Sequence, residues 1–134
     1  MEPTRLFPII AVLTLITVEL GGWALLTLIT ARMEASDYFR QQFFRAGHAH
    51  AGVLLVLSLV YFLYLPRAEY SNGVEWLACI VLTIGVLLQS SGFFIHLGLG
   101  TEGTSSLGTR VTRFGAIVIA GALIILAVGL IKTA

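Results

Sequence analysis

Four apolar stretches, each about as long as a bilayer is thick, constrain the fold of this chain more than any other feature. A membrane-spanning helix needs about 20 mostly apolar residues. Within 134 residues the chain reaches this length four times, over 6–31, 43–65, 74–99 and 114–131. Because backbone polar groups must be satisfied inside hydrocarbon, such stretches predict helices. We therefore expect an all-α integral membrane protein, folded as one antiparallel four-helix transmembrane bundle over residues 1–134.

Composition and motifs exclude several classes of function. Hydrophobic residues make up 57% of the chain and charged residues only 11%, against about 25% charged in soluble domains. A net charge of +1 without a basic run argues against a nucleic-acid partner. The single Cys79 cannot form an internal disulfide. The absence of a nucleophile motif, a phosphate loop and a Cys-x-x-Cys pair predicts that the chain is not a standalone enzyme.

Four crossings predict that both termini lie on one side of the membrane, together with the link 66–73. The polar hairpins 32–42 and 100–113 then lie on the other side. Ser36 is a candidate N-cap, so we expect 37–42 to form an interfacial turn of helix that continues into the second span. The positive-inside rule favours cytoplasmic hairpins, because five basic residues flank the hairpins and three flank the other side: Arg32, Arg40, Arg45, Arg110 and Arg113 against Arg5, Arg67 and Lys132.

All three histidines of the chain, His48, His50 and His96, lie near the ends of apolar stretches. Since adjacent spans run antiparallel, these positions fall at the same membrane face, and their depths differ by only several ångströms at about 1.5 Å per residue. An ionisable group at this depth is a functional candidate by default. Neutral imidazole is also the commonest metal ligand among side chains. The three histidines are therefore the candidate ligands of a metal or a haem.

Helical facing separates the two histidines of the second span. Residues two apart on a helix point about 200° away from each other, so only one of His48 and His50 can share a pocket with His96. We predict the pair His50 and His96, with His48 turned toward another helix or the headgroups. Gly85, Gln89 and Gly92 lie on the same stripe of the third span as His96. This stripe is a place where a flat cofactor could lie, with Gln89 and Gly92 among the residues that hold it.

Glu19 lies near the centre of the first span, about 8–10 Å deeper than His50 by helix rise. Gln89, Ser90 and Ser91 fall between Glu19 and His96 in depth, and together they predict a polar column through half of the membrane. Glu19 is the candidate proton or ion relay of this column. The simpler alternatives are a structural hydrogen bond from Glu19 to a neighbouring backbone and interfacial positions for His48 and His96.

The segment 43–64, FFRAGHAHAGVLLVLSLVYFLY, resembles the start of the second span in small bacterial membrane proteins related to haem-copper oxidase subunit I and to NnrS-type haem-copper proteins. In those families a His-x-His pair opens a helix and a glycine follows. The string FFRAGHAHAG is similar to that of four-span bacterial proteins of no assigned activity, and 75–94, EWLACIVLTIGVLLQSSGFF, is similar to their next helix. The resemblance covers about a third of the chain.

The resemblance implies a bacterial cytoplasmic membrane and makes His48 or His50 an axial haem ligand or a metal ligand. His96 is outside the matched pattern. The chain departs from the families in having too few histidines for a haem plus a copper centre and too few helices for an oxidase core. In oxidases the matching helix begins at the outer face, which conflicts with the arginine count and leaves the orientation open.

Three classes of function follow. The first is binding of haem b or of a transition metal ion (iron, copper or zinc) for electron transfer, sensing or cofactor handling. The second is a small oligomeric transporter or channel that uses Glu19 and the histidines as a proton or ion relay. The third is an accessory subunit of a larger membrane complex, such as a respiratory complex, with no chemistry of its own. Besides the lipid bilayer, self-association is the expected contact.

Overall fold

The structure, a computed structural model, describes residues 1–30 and 38–134. Four helices, each long and apolar enough to cross a membrane, account for most of these residues. They are α1 Pro3–Thr30, α2 Tyr38–Tyr64, α3 Asn72–Leu99 and α4 Leu107–Lys132, and a short 3-10 turn, Leu65–Ala68, follows α2. The predicted all-α four-helix architecture is confirmed.

Helix α4 begins at Leu107, earlier than the expected start at 114, because Ser106 caps it. The Ser106 hydroxyl oxygen accepts the backbone N–H of Gly108 at 3.0 Å. In return, the Ser106 backbone N–H donates to Thr109 Oγ1, also at 3.0 Å. This reciprocal pair satisfies N–H groups that the first turn of a helix leaves free. The hairpin that was expected over 100–113 is correspondingly shorter.

The other boundaries differ from expectation by a few residues. Asn72 and Gly73 were expected to belong to the link 66–73, but they are the first residues of α3, and Ser71 occupies the N-cap position. Residues 38–42 are helical and continuous with the second span, as expected for an interfacial turn. The candidate cap Ser36 lies outside the described residues.

Helices α3 and α4 make the closest contact in the bundle, through small residues that recur every seven positions. A seven-residue repeat keeps the same side of a helix against its neighbour, as in coiled coils. A Cβ atom on Gly115 would overlap the backbone of Gln89, and one on Gly92 would overlap Thr112 and the Gly108 carbonyl. The repeat comprises Ala78, Gly85 and Gly92 on α3 and Gly108, Gly115, Ala122 and Gly129 on α4, all of them buried.

This contact corrects one expectation about the third span. Gly85 and Gly92 were predicted to leave room for a flat cofactor. A Cβ atom on Gly85 would instead overlap Ile119 of α4. The backbone of α4 therefore packs against both glycines, and the cavity that Gly92 lines with His96 measures only about 170 Å³.

The core is concentrated at the end of the bundle that holds the termini. Phe7 of α1 packs against Phe62 and Trp76, with ring centroids 5.8 and 5.7 Å away. Tyr61 donates a hydrogen bond to the Ala122 carbonyl at 3.1 Å and is 1% exposed. The core residues of α1 are Phe7 and Ala11, both in its first half. The helices are thus held firmly at one end, and the histidines lie toward the other.

We expect Gly115→Ala to lower the free energy of unfolding by about 1–3 kcal/mol, the usual cost of overpacking. The added methyl group meets the backbone of α3, which cannot move aside as a side chain can. Gly121→Ala is the matched control, because a Cβ atom at Gly121 meets nothing within 4 Å. Unfolding by SDS titration in detergent micelles measures both. Equal stabilities of the two variants would contradict the close α3–α4 contact.

Candidate intramembrane histidine site

His96 lies in the last turn of α3 and is 2% exposed. Its Nδ1 atom is 2.6 Å from the Ser106 hydroxyl oxygen, and the Phe43 ring centroid is 4.3 Å from that of the imidazole. The Ser106 oxygen already accepts backbone N–H groups of Gly108 and Thr109. With both lone pairs engaged, the hydroxyl donates its proton to His96 Nδ1. This arrangement favours the tautomer of His96 that carries its proton on Nε2.

This hydrogen bond makes His96 a poor metal ligand. A histidine that binds a metal through Nε2 normally donates its Nδ1–H to an acceptor. At His96 that acceptor would be Ser106, whose lone pairs serve the first turn of α4. The observed contacts give His96 a structural role, which is to join the end of α3 to the start of α4.

His50 has the opposite hydrogen-bonding arrangement. Its Nδ1 lies 2.8 Å from the Ala46 carbonyl oxygen. Because a carbonyl only accepts, Nδ1 carries the proton and Nε2 keeps its lone pair. The ring packs on Phe93, with centroids 4.6 Å apart. His50 lines an open cavity of about 350 Å³ together with Ala49, Val53, Leu54 and Gln89.

His48 lies on the other flank of α2, against α1. A Cβ atom on Gly22 would be 3.3 Å from His48 Nε2, and one on Gly21 would be 3.4 Å from Nδ1. The two glycines therefore provide the space into which the imidazole packs. A neighbouring open cavity of about 430 Å³ is lined by Val18, Glu19, His48, Ala49, Gly52, Val53 and Val56. His48 and His50 therefore point to different sides of α2, as expected for residues two apart on a helix.

The structure does not assemble the predicted polar column. Glu19 is exposed on the outside of α1 and shares a cavity with His48. Gln89 shares a different cavity with His50. The Ser91 hydroxyl donates to the Leu88 carbonyl of its own helix at 3.3 Å, and the buried Ser90 hydroxyl has no partner among the described residues. The two members of the expected pair line different cavities, His50 the one with Gln89 and His96 one with Phe43 and Gly92.

The two open cavities nevertheless adjoin, because both are lined by Ala49 and Val53. Four polar side chains thus lie across one outer surface of α1, α2 and α3, which we call the polar face: Glu19, His48, His50 and Gln89. Over residues 1–30 and 38–134, the side chains of Glu19, His48 and Gln89 make no hydrogen bond, and neither does His50 Nε2. Unpaired polar groups are costly in hydrocarbon. The polar face is therefore where a polar partner is missing.

In the part of the chain that the structure describes, no three His, Cys, Asp or Glu side chains are grouped closely enough to hold a metal ion. The small residues of the spans, Gly21 and Gly22 among them, are recognisable in the sequence as packing positions, but neither the contact of this pair with His48 nor the seven-residue period was predicted. The repeat is visible in the sequence once its period is sought.

A scan against protein-family models finds no matching family, and searches of curated proteins and of solved structures find no match. The function is therefore argued from the residues and their geometry.

The hydrogen bonds predict different tautomers for two of the histidines. In ¹⁵N-histidine-labelled protein at a pH where the imidazoles are neutral, His96 should carry its proton on Nε2 and His50 on Nδ1. Side-chain ¹⁵N chemical shifts distinguish the two forms. Ser106→Ala should remove the preference of His96 for the form protonated on Nε2 and should leave the tautomer of His50 unchanged. A proton on Nδ1 of His96 in the unsubstituted protein would contradict the capping role.

Proposed function

We propose that this integral membrane protein binds a transition metal, as an ion or as the iron of a haem, with His50 as ligand. The observation that carries the proposal is the orientation of His50. Its Nδ1–H is held by the Ala46 carbonyl at 2.8 Å, and its Nε2 lone pair is free beside an open cavity. Imidazole nitrogen suits iron, copper and zinc alike.

The surroundings of His50 support this role. A backbone acceptor on the second ring nitrogen sets the tautomer and raises the basicity of the ligating nitrogen. The ring is also held in place by Phe93, 4.6 Å away between centroids. Among the described residues that line this cavity, Gln89 is the other polar one. A fixed imidazole in an apolar setting is the arrangement that a ligand needs, because little is lost in ordering it on binding.

The same surface favours an ion over a haem. The glycine stripe that would accommodate a flat ring beside α3 is filled by α4, so a haem would have to lie on the outside of the bundle. The polar face offers nitrogen and oxygen donors, namely two imidazoles, one carboxyl group and one amide. These are the donor types that divalent transition ions take. Zinc there would indicate cofactor handling or sensing, whereas iron or copper would permit electron transfer.

Metal content tests the proposal. Protein purified from cells supplied with iron, copper and zinc should contain close to one metal per chain by elemental analysis, and His50→Ala should lose at least nine-tenths of it. His96→Asn is the control that should keep the metal, because its amide oxygen can still accept from Ser106. A Soret band in the absorption spectrum would assign haem, and its absence from a metal-loaded sample would assign an ion. Metal-free, colourless protein would reject the function.

A further inference from the structure

The polar face divides its donors between two cavities that one chain does not bring together. His50 and Gln89 line the cavity on the α3 side of α2. Glu19 and His48 line the cavity on the α1 side. Between them runs the ridge of Ala49 and Val53, which borders both. Among the described lining residues, neither cavity has three strong donors, so a metal ion in either one would need ligands from elsewhere.

The ridge continues along α2 as an exposed stripe with the spacing of a helix-packing seam. Its members are alternately four and three residues apart, which is the a/d pattern of a coiled coil. They are small or branched apolar residues that permit close approach of another helix. Val53 is 68% exposed and Leu63 71% exposed. We call this stripe the α2 ridge; it comprises Ala49, Val53, Val56, Val60 and Leu63.

Symmetry determines what a second copy would bring to this surface. Two copies inserted in the same direction are related by a two-fold axis along the membrane normal, and the interface then uses the same patch on both. If the two α2 ridges meet at the axis, α1 of each copy faces α3 of the other. Depths do not change on this rotation. The contacts of Gly21 and Gly22 with His48 place Glu19 within about one helical turn of His48 in depth, nearer than helix rise alone predicted. The cavity with Glu19 and His48 therefore faces the partner's cavity with His50 and Gln89.

We propose that the chain forms a parallel two-fold homodimer through the polar face, with two identical metal sites at the interface. Each site takes His50 and Gln89 from one copy and the partner's Glu19 and the partner's His48. The inference rests on the proposed function and names its ligand as a divalent transition metal ion. Two imidazoles and a carboxylate form a donor set that such ions accept. Across this interface, each carboxyl group of one copy would face an imidazole of the other.

Cysteine cross-linking tests the interface in native membranes. Val53→Cys, at the α2 ridge, should form a disulfide-linked dimer on mild oxidation in at least half of the chains. Ile117→Cys is the matched control, because it is as exposed, at 69%, but lies on α4. The native Cys79 is 0% exposed and stays out of the reaction. Equal cross-linking at the two positions, or none at Val53→Cys, would overturn the dimer.

Mixed dimers test whether the site is shared. His50→Ala and Glu19→Gln chains, carrying different affinity tags, are expressed together and purified through both tags. The unsubstituted dimer should hold two metal ions, each variant alone close to none, and the mixed dimer one. The mixed dimer regains one site because it combines an intact His50 with the partner's intact Glu19. A site built within one chain would remain defective in both chains, so a metal-free mixed dimer would overturn the shared site.

The two proposals fail differently. If the unsubstituted protein holds metal but Val53→Cys cross-links no better than Ile117→Cys, the proposed function stands and the shared site is overturned. Unsubstituted protein without metal overturns the proposed function and the shared site together. A haem spectrum in that protein also overturns the shared ion site, since the donor set was assigned to a bare ion.

Discussion

The backbone contact between α3 and α4 is the interaction on which the rest of the structure depends. With glycine or alanine at every seventh position, the two helices approach until side chains no longer separate them. In a membrane, where lipid removes the hydrophobic drive between helices, such contact replaces it with dispersion and polar attraction. The same approach brings Ser106 to His96 and fills the space beside Gly85 and Gly92. A ligand can therefore contact only those side chains of α3 that α4 does not cover.

Three histidines at one membrane depth have three different chemical states because their neighbours differ. His96 faces a hydroxyl whose lone pairs are engaged, so it accepts and keeps its proton on Nε2. His50 faces a carbonyl, so it donates from Nδ1 and leaves Nε2 free. His48 faces the backbone of two glycines and has no hydrogen-bond partner in the part of the chain that the structure describes. The three residues have the same side chain and lie at similar depth. Whether each can bind a metal depends on the groups that its imidazole contacts.

The polar face contrasts with the end of the bundle that holds the termini. At the end with the termini, the tyrosine hydroxyls reach helix carbonyls, Tyr61 to Ala122 and Tyr70 to Ile125, at 3.1 and 2.7 Å. Toward the other end, the Glu19 carboxyl group and the Gln89 amide have no hydrogen-bond partner among residues 1–30 and 38–134. Hydrocarbon makes that arrangement costly. A bound metal ion would give these polar groups a partner, and a second copy of the chain would shield them from lipid. The proposed two-fold dimer does both with the same residues.

The sequence by itself determined the number of helices, their approximate bounds and the separation of His48 from His50. Apolar length and the 100° turn per residue are local properties, so they can be read without knowing any contact. It did not determine which helices would touch. The tertiary structure alone decided that α4 covers the glycine stripe, that Ser106 engages His96 and that Glu19 accompanies His48 rather than Gln89. Each of these depends on the rotation of one helix against another, and that rotation is set by the packing of residues far apart in the chain.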